Sequence, residues 1–312
     1  MPDTFSIIIP VYNRESVVAR ALDSVAAQSF RPLHLIVVDN ASTDRSLDVI
    51  RGWAEKHAGD TALHITVLSE SIPGAAAARQ CGLNTVITSH VLFLDSDDAL
   101  RPDAVESYAE VFRRRPGTQI VCTDILMHPL HGRPFKIPRR RGDRLIVHFH
   151  HCTLPTLGYA ASTELLRQAG GWNRDIRIWD DWELGIRLLL LDPVTGHTGK
   201  IAVDTYESEI SVTGINYSDK APLYEAAISA VENAIANSRR PDKQKLMAMA
   251  MYRRIMLAAH FAREGRPDLS GPLLQHVLDA THGRNRALLR MAYLYIRSGL
   301  RGAATLVTPL LR

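Results

Sequence analysis

The chain has 312 residues, 46% hydrophobic and 22% charged, with a formal net charge of +4. It is long enough for one large domain or a domain with an appendage, too evenly composed for extended disorder, and too mildly charged to imply nucleic acid. No apolar run approaches the ~18 residues needed to cross a bilayer, Met1–Thr4 lacks the pattern of a secretory leader, and Cys81, Cys122 and Cys152 form no C-x-x-C pair, so a cytosolic protein with reduced thiols is expected rather than a disulfide or zinc framework.

Residues 5–10 (FSIIIP) are an apolar run of strand length, followed by a helical segment with Val17, Val18, Ala21, Leu22 and Val25 on one face. Residues 33–38 (LHLIVV) read as a second strand, after which Ser42 or Thr43 caps a helix with Asp44 in its first turn. A third strand at 63–68 precedes a helix over 75–86. A fourth at 90–94 precedes a helix opened by Pro102, with Val105, Tyr108 and Phe112 at helical spacing, and 119–125 reads as a fifth strand. Strands alternating with helices of this length imply βαβ units and a mostly parallel, Rossmann-like sheet. Ligands of such sheets bind beyond the carboxyl ends of the strands, which singles out residues 10–14, 39–44, 69–74 and 95–98.

Residues 133–146 form a basic, loop-like stretch. Order returns with a helix over 162–169, a turn at Gly170-Gly171-Trp172, a helix starting near Asp180 and a late strand at 203–206. Beyond Pro222 the chain reads as wholly helical, with breaks at Arg240-Pro241, 265–267, Gly271-Pro272 and Gly283. The expected division is an α/β domain over 1–215 and a C-terminal helical region over 216–312.

Asp95, Asp97 and Asp98 directly follow the fourth strand. Three carboxylates this close repel one another unless a cation or hydrogen-bond donors compensate. Oxygen-rich sites of this kind suit Mg²⁺ or Mn²⁺ bound together with substrate phosphates. The other reading is a turn in which Asp98 caps the next helix.

FSIIIPVYNR, VVDNASTD, GAAAARQCG and FLDSDD, in that order and spacing, resemble the inverting glycosyltransferase family 2 with the GT-A fold, over roughly residues 5–213. The resemblance implies a nucleotide-sugar donor, with Pro10, Tyr12, Asn13 and Ser42 lining its pocket and Asp39 accepting from the base imide, a contact that suits uracil. It implies Arg79 near the base or phosphates, against the alternative of a surface arginine on a helix. It also implies Asp95 at the ribose and Asp97 as ligand of Mn²⁺ or Mg²⁺ on the diphosphate, with Asp95 a further candidate ligand.

The family's general base is the Asp of a Glu-Asp-like pair opening a helix after a Gly-Gly-aromatic turn. Here the pair is Asp180-Asp181, a departure that puts Asp181 in the base position and leaves Asp180 as the lesser candidate. Adjacent helix residues diverge by about 100°, so only one of them faces a given pocket. Trp179 and Trp182 form a stacking platform for an acceptor sugar, or simply pack. Where relatives carry a metal-binding His, this sequence has Glu209, which either ligates an oxygen-preferring cation or is a solvated loop residue.

After Asp279 there is no acidic residue but six arginines, and Leu288, Leu289, Ala292, Tyr295 and Ile296 fall near a helical stripe. Such a helix either lies on an anionic membrane surface, as a lipid-linked acceptor would require, or packs on the rest of the protein. A sugar-phosphate nucleotidyltransferase would need a Gly-rich phosphate loop after the first strand, which Pro10-Val11-Tyr12-Asn13-Arg14 is not, and an oxidoreductase would need G-x-G-x-x-G there. A degenerate, non-catalytic nucleotide-sugar- or carbohydrate-binding protein is the remaining alternative.

Overall fold

The computed structural model describes residues 4–138, 142–207, 216–300 and 302–311. They fall into two compact units, the first from 4–138, 154–184 and 191–207, the second from 142–153, 185–190 and the residues beyond 216.

The first unit is built on one nine-stranded mixed sheet. Its strands are β1 (Phe5–Val11), β2 (Leu33–Asp39), β3 (Leu63–Ser69), β4 (His90–Phe93), β5 (Ala99–Leu100), β6 (Ile120–His128), β7 (Phe135–Lys136), β8 (Tyr159–Ser162) and β9 (Thr195–Tyr206). They lie in the order β3-β2-β1-β4-β8-β6-β9-β5, with β7 on β6. β1 to β4 pair in parallel, as do β6 and β9, while β8 runs antiparallel to both β4 and β6. The GT-A-type α/β architecture expected from the sequence is what forms.

β1 and β2 are buried along their whole length, which explains why they read as continuous apolar runs rather than alternating ones. Phe5, Ile7 and Ile9 join a core with Val18, Leu22 and Val25 of α1 (Val18–Ala26), Ile50 and Trp53 of α2 (Ser46–His57), and Tyr108 and Phe112 of α4 (Ala104–Arg114). On the other face, α3 (Ala75–Asn84) comes so close that a Cβ at Gly82 would stand 2.7 Å from Ile8 Cγ2. Only glycine fits there without displacing a strand.

Several boundaries differ from expectation. α2 begins at Ser46, because Ser42 and Asp44 are engaged elsewhere: Ser42 Oγ accepts from the Asn13 N–H at 3.1 Å, and Asp44 takes the N–H groups of Glu15 and Ser46. α4 starts two residues after Pro102. The basic stretch after 133 contains β7 and runs into α5 (Arg144–His151), capped by Asp143. β9 begins eight residues before the expected late strand. Between them, α6 (Thr163–Gln168) is capped by Ser162 and α7 (Asp180–Leu190) follows the Gly170-Gly171 turn, both glycines at positive φ.

The second unit is helical, with α8 (Ala221–Asn237), α9 (Lys243–Arg263), α10 (Pro267–Ala280), α11 (Gly283–Arg297) and α12 (Ala303–Val307). α9 is its centre, touching α5, α8, α10 and α11. Its buried Arg254 forks onto both oxygens of Glu232 at 2.7 Å, so the charge enters the interior already paired. α10 runs through Gly271 and Pro272 instead of breaking there. No helix among the described residues is long and apolar enough to cross a membrane.

Candidate active site

Because β1 to β4 are parallel, their carboxyl ends lie along one edge of the sheet, with the strand order reversing direction between β1 and β4. The four polar segments singled out in the sequence occupy that edge.

The loops after β1 and β2 are stitched to each other. Pro10 is buried opposite Val38, Tyr12 is 56% exposed, and Asn13 turns the chain at φ 50°. Its N–H reaches Ser42 Oγ, its Oδ1 accepts from the Thr43 N–H at 2.8 Å, and the Arg14 N–H donates to Ser46 Oγ at 2.7 Å. Asp39 is 4% exposed. One of its oxygens accepts a long 3.4 Å contact from the Ser42 N–H, and the other, Oδ1, is buried with no hydrogen-bond partner. A buried orphan acceptor is costly, and a donor from outside the chain, a water or a ligand, would satisfy it.

Asn40, which the sequence reading passed over, ties the next loop in. Its amide donates to the carbonyls of Glu70 and Ile72, and its Oδ1 accepts from the Gly74 N–H, at 2.7–2.9 Å. Its only trace in the sequence is a small amide directly after the strand-end Asp39.

Arg79 is a buried arginine of α3, with a side chain 6% exposed, and not a surface residue. Its guanidinium donates to Asp95 Oδ1 and Asp180 Oδ2, both at 2.7 Å, and lies 4.7 Å from the Trp172 ring centre. Burial alone would lower its pKa, but the charges of Asp95 and Asp180 prevail and hold it above the ordinary value. Burial pushes the Asp180 carboxyl up, against the pull of Arg79.

Asp95 and Asp97 flank buried Ser96 and are about 30% exposed. Asp97 Oδ2 is 3.6 Å from Arg14 Nε, and its backbone carbonyl accepts from Arg20. The Arg20 guanidinium stacks 3.8 Å over Tyr206, whose other neighbour is the His128 ring at 4.7 Å. His128 and Arg101 both bind Asp204. Burial opposes ionisation of Asp204, yet those two partners hold its carboxyl below the usual range. Asp98 does not cap a helix. It is 3% exposed and accepts from the Tyr206 N–H at 3.1 Å, fastening the end of β9 to the acidic loop. Burial and the charge of Asp95 push its carboxyl up to about 7.

Among the described residues no group of three or more His, Cys, Asp or Glu is arranged to hold a metal by itself. Asp95 and Asp97 fit Mg²⁺ or Mn²⁺ in the manner of nucleotide enzymes, where one or two carboxylates bind the ion and substrate phosphates complete its shell. Glu209 lies outside the described residues.

Trp179, at φ 58°, immediately precedes α7, which opens with Asp180, Asp181 and Glu183 in a first turn that stabilises anions. Asp180 is committed to Arg79. Asp181 is half-buried and its Oδ1 accepts from the Trp182 N–H at 2.7 Å. Trp182 is 1% exposed and meets half-buried Trp179 edge-on at 5.6 Å. Trp182 is therefore packing rather than a stacking surface.

A family model described as Glycosyl transferase family 2 matches residues 6–169. Over 105 residues, 34% of this chain, the sequence is 33% identical to Glycosyltransferase GlyA of Streptococcus pneumoniae, covering 14% of that protein. For the first three curated relatives the match spans 14% to 39% of their own length. Among solved structures, Staphylococcus aureus TarS 1–349 in complex with UDP-GlcNAc superposes with a TM-score of 0.71 at 20% identity, covering 98% of this chain and 90% of that one. The mannosyltransferase PcManGT of Pyrobaculum calidifontis, in complex with GDP-Man and Mn²⁺, reaches 0.58 at 18% identity, with 99% and 88% covered. At these identities the likeness speaks for the fold.

Proposed function

The chain belongs to glycosyltransferase family 2, and from that we propose that it moves a sugar, with inversion, from a uridine diphosphate sugar to a hydroxyl of a glycan or lipid-linked saccharide. The observation that carries the donor half is the orphan Asp39 Oδ1, buried at the strand edge that also bears Asp95 and Asp97. The N3–H of uracil is the donor it lacks, whereas cytosine has an acceptor at that position. That TarS has been solved with UDP-GlcNAc is in keeping with this reading.

In the proposed assignment Pro10, Tyr12, Asn13 and Ser42 line the base pocket, with Tyr12 beside the base. Asp95 faces the ribose and Asp97 is the metal ligand. Mn²⁺ or Mg²⁺, when bound, supplies positive charge against the departing diphosphate. Arg79 acts behind them by fixing Asp95 and Asp180. Asp181 takes the proton of the acceptor hydroxyl as its oxygen bonds to the anomeric carbon and the bond to the diphosphate breaks. Of the two tryptophans, Trp179 is the one assigned to contact the acceptor sugar. In the proposed division the chemistry belongs to residues within 1–215, while 142–153 and 185–190 go with the helical unit formed mainly within 216–312. A lipid-linked acceptor would also require peripheral contact with an anionic membrane through the basic C-terminal region, at the cytoplasmic face.

The test is a panel of nucleotide-sugars with Mn²⁺ or Mg²⁺, reading nucleoside diphosphate release and transfer. Release from a UDP-sugar that depends on the metal is the expected result. Release from GDP- or CDP-sugars alone would overturn the donor assignment, and binding without any release or transfer would favour a degenerate site.

A further inference from the structure

α11 has two apolar faces, and the structure spends only one of them. Of the stripe read in the sequence as meeting a membrane or packing on the protein, Leu288, Leu289, Ala292 and Ile296 are buried within the helical unit and Tyr295 is half-buried. The other face is turned to solvent. Ala287, Met291 and Leu294 recur at i, i+4 and i+7 and so share one side of the helix, with Met291 56% and Leu294 55% exposed. Arg284 and Arg290 are exposed and fall about 60° to either side of Ala287 on a helix of 3.6 residues per turn, and exposed Arg297 extends the second flank. Exposed Leu300, Leu306 and Leu310 follow.

From Ala280 to Arg312 the chain has no Asp or Glu, so nothing acidic on this stretch offsets those arginines. An apolar row flanked by arginines matches a surface that is negative outside and greasy just beneath. An anionic lipid bilayer has both properties: the arginines meet lipid phosphates while their stems and the Met and Leu side chains enter the headgroup boundary. We propose that this outward face of α11 docks the protein on an anionic lipid membrane. The docking does not depend on the nature of the sugar donor, because it involves neither Asp39 nor the acidic loop.

The full chain should be sedimented with vesicles of phosphatidylcholine alone and of phosphatidylcholine with phosphatidylglycerol, without nucleotide-sugar. Binding is expected only to the mixed vesicles, weakening as salt rises. Replacing Arg284, Arg290 and Arg297 together by Gln should weaken it roughly a hundredfold, at about fivefold for each charge lost. Met291→Glu with Leu294→Glu should weaken it at least about tenfold, with helicity and melting checked by circular dichroism. Equal binding to neutral vesicles, or mixed-vesicle binding unchanged in both folded variants, would overturn the proposal. So would a dimer in sedimentation velocity that Met291→Glu dissociates, since a second copy would then cover the face.

Discussion

Arg79 Nη1 stands 2.7 Å from Asp180 Oδ2, joining residues 101 positions apart in the sequence. The same guanidinium holds Asp95 at 2.7 Å, so one planar fork ties the acidic loop to the start of α7. A lysine carries one point charge on a flexible stem and satisfies only one of the two carboxylates at that geometry. Arg79→Lys should therefore destabilise the protein by about 2–4 kcal/mol, with Asp180 left poorly compensated in its buried setting. Thermal melts of the two proteins check this, and an unchanged melting temperature would show that the fork is not holding the loops together.

The neighbouring carboxylates should separate by role. Asp181→Asn should lower turnover by about 10²–10⁴-fold, the usual cost of losing a general base, while UDP affinity in Mn²⁺ changes little. Asp97→Asn should abolish both turnover and the metal-dependent part of UDP binding. Asp180→Asn should show itself first in melting temperature, because its carboxylate is the partner of Arg79. Calorimetric titration with UDP, run beside a transfer assay, distinguishes the three. Full turnover in Asp181→Asn would move the base elsewhere.

Asp39→Asn tests the base pocket. An amide can turn its NH₂ toward the ligand, replacing an acceptor by a donor at the position of the orphan Oδ1. UDP affinity should fall about tenfold, and the preference for UDP over CDP should shrink, because cytosine N3 accepts where uracil N3 donates. Competition binding with the two diphosphates measures the ratio. A preference that survives intact would mean the base is read by another group.

What was legible in the sequence follows from how the chain is buried. β1, β2 and β4 are mostly apolar because both of their faces are covered, and α1 and α4 show their core stripes directly. The loops of the site were legible because a parallel sheet dictates where they gather. β5 and β7 are two residues each, too short for any periodicity. The first half of β9 is polar and glycine-containing and is held by pairing with β6 across two register shifts. The burial of Arg79 is invisible locally, since its partners lie 16 and 101 residues away. The same holds for Asp98, whose partner Tyr206 comes 108 residues later. Trp182 and Trp179 look alike in the sequence, and only packing separates the buried ring from the half-buried one.

Acid should destabilise the sheet through His34. This residue of β2 is 8% exposed, donates to or accepts from Thr66 Oγ1 at 2.8 Å through Nε2, and has the His64 ring 4.6 Å away on β3. Burial first, and the charge of His64 second, lower its pKa to about 4 from 6.5. The unfolded chain therefore binds a proton at His34 between pH 6.5 and 4 that the folded chain refuses. Stability from this group is fully present above about 6.5 and is lost as pH falls toward 4, by about 1–3 kcal/mol once residual solvation is allowed for. His34→Asn keeps a polar partner for Thr66 but cannot take up the proton. Its melting temperature should fall less than that of the parent between about pH 7.5 and about pH 4.5, a range that covers most of the titration window. Parallel loss in both proteins would assign the acid sensitivity to other groups.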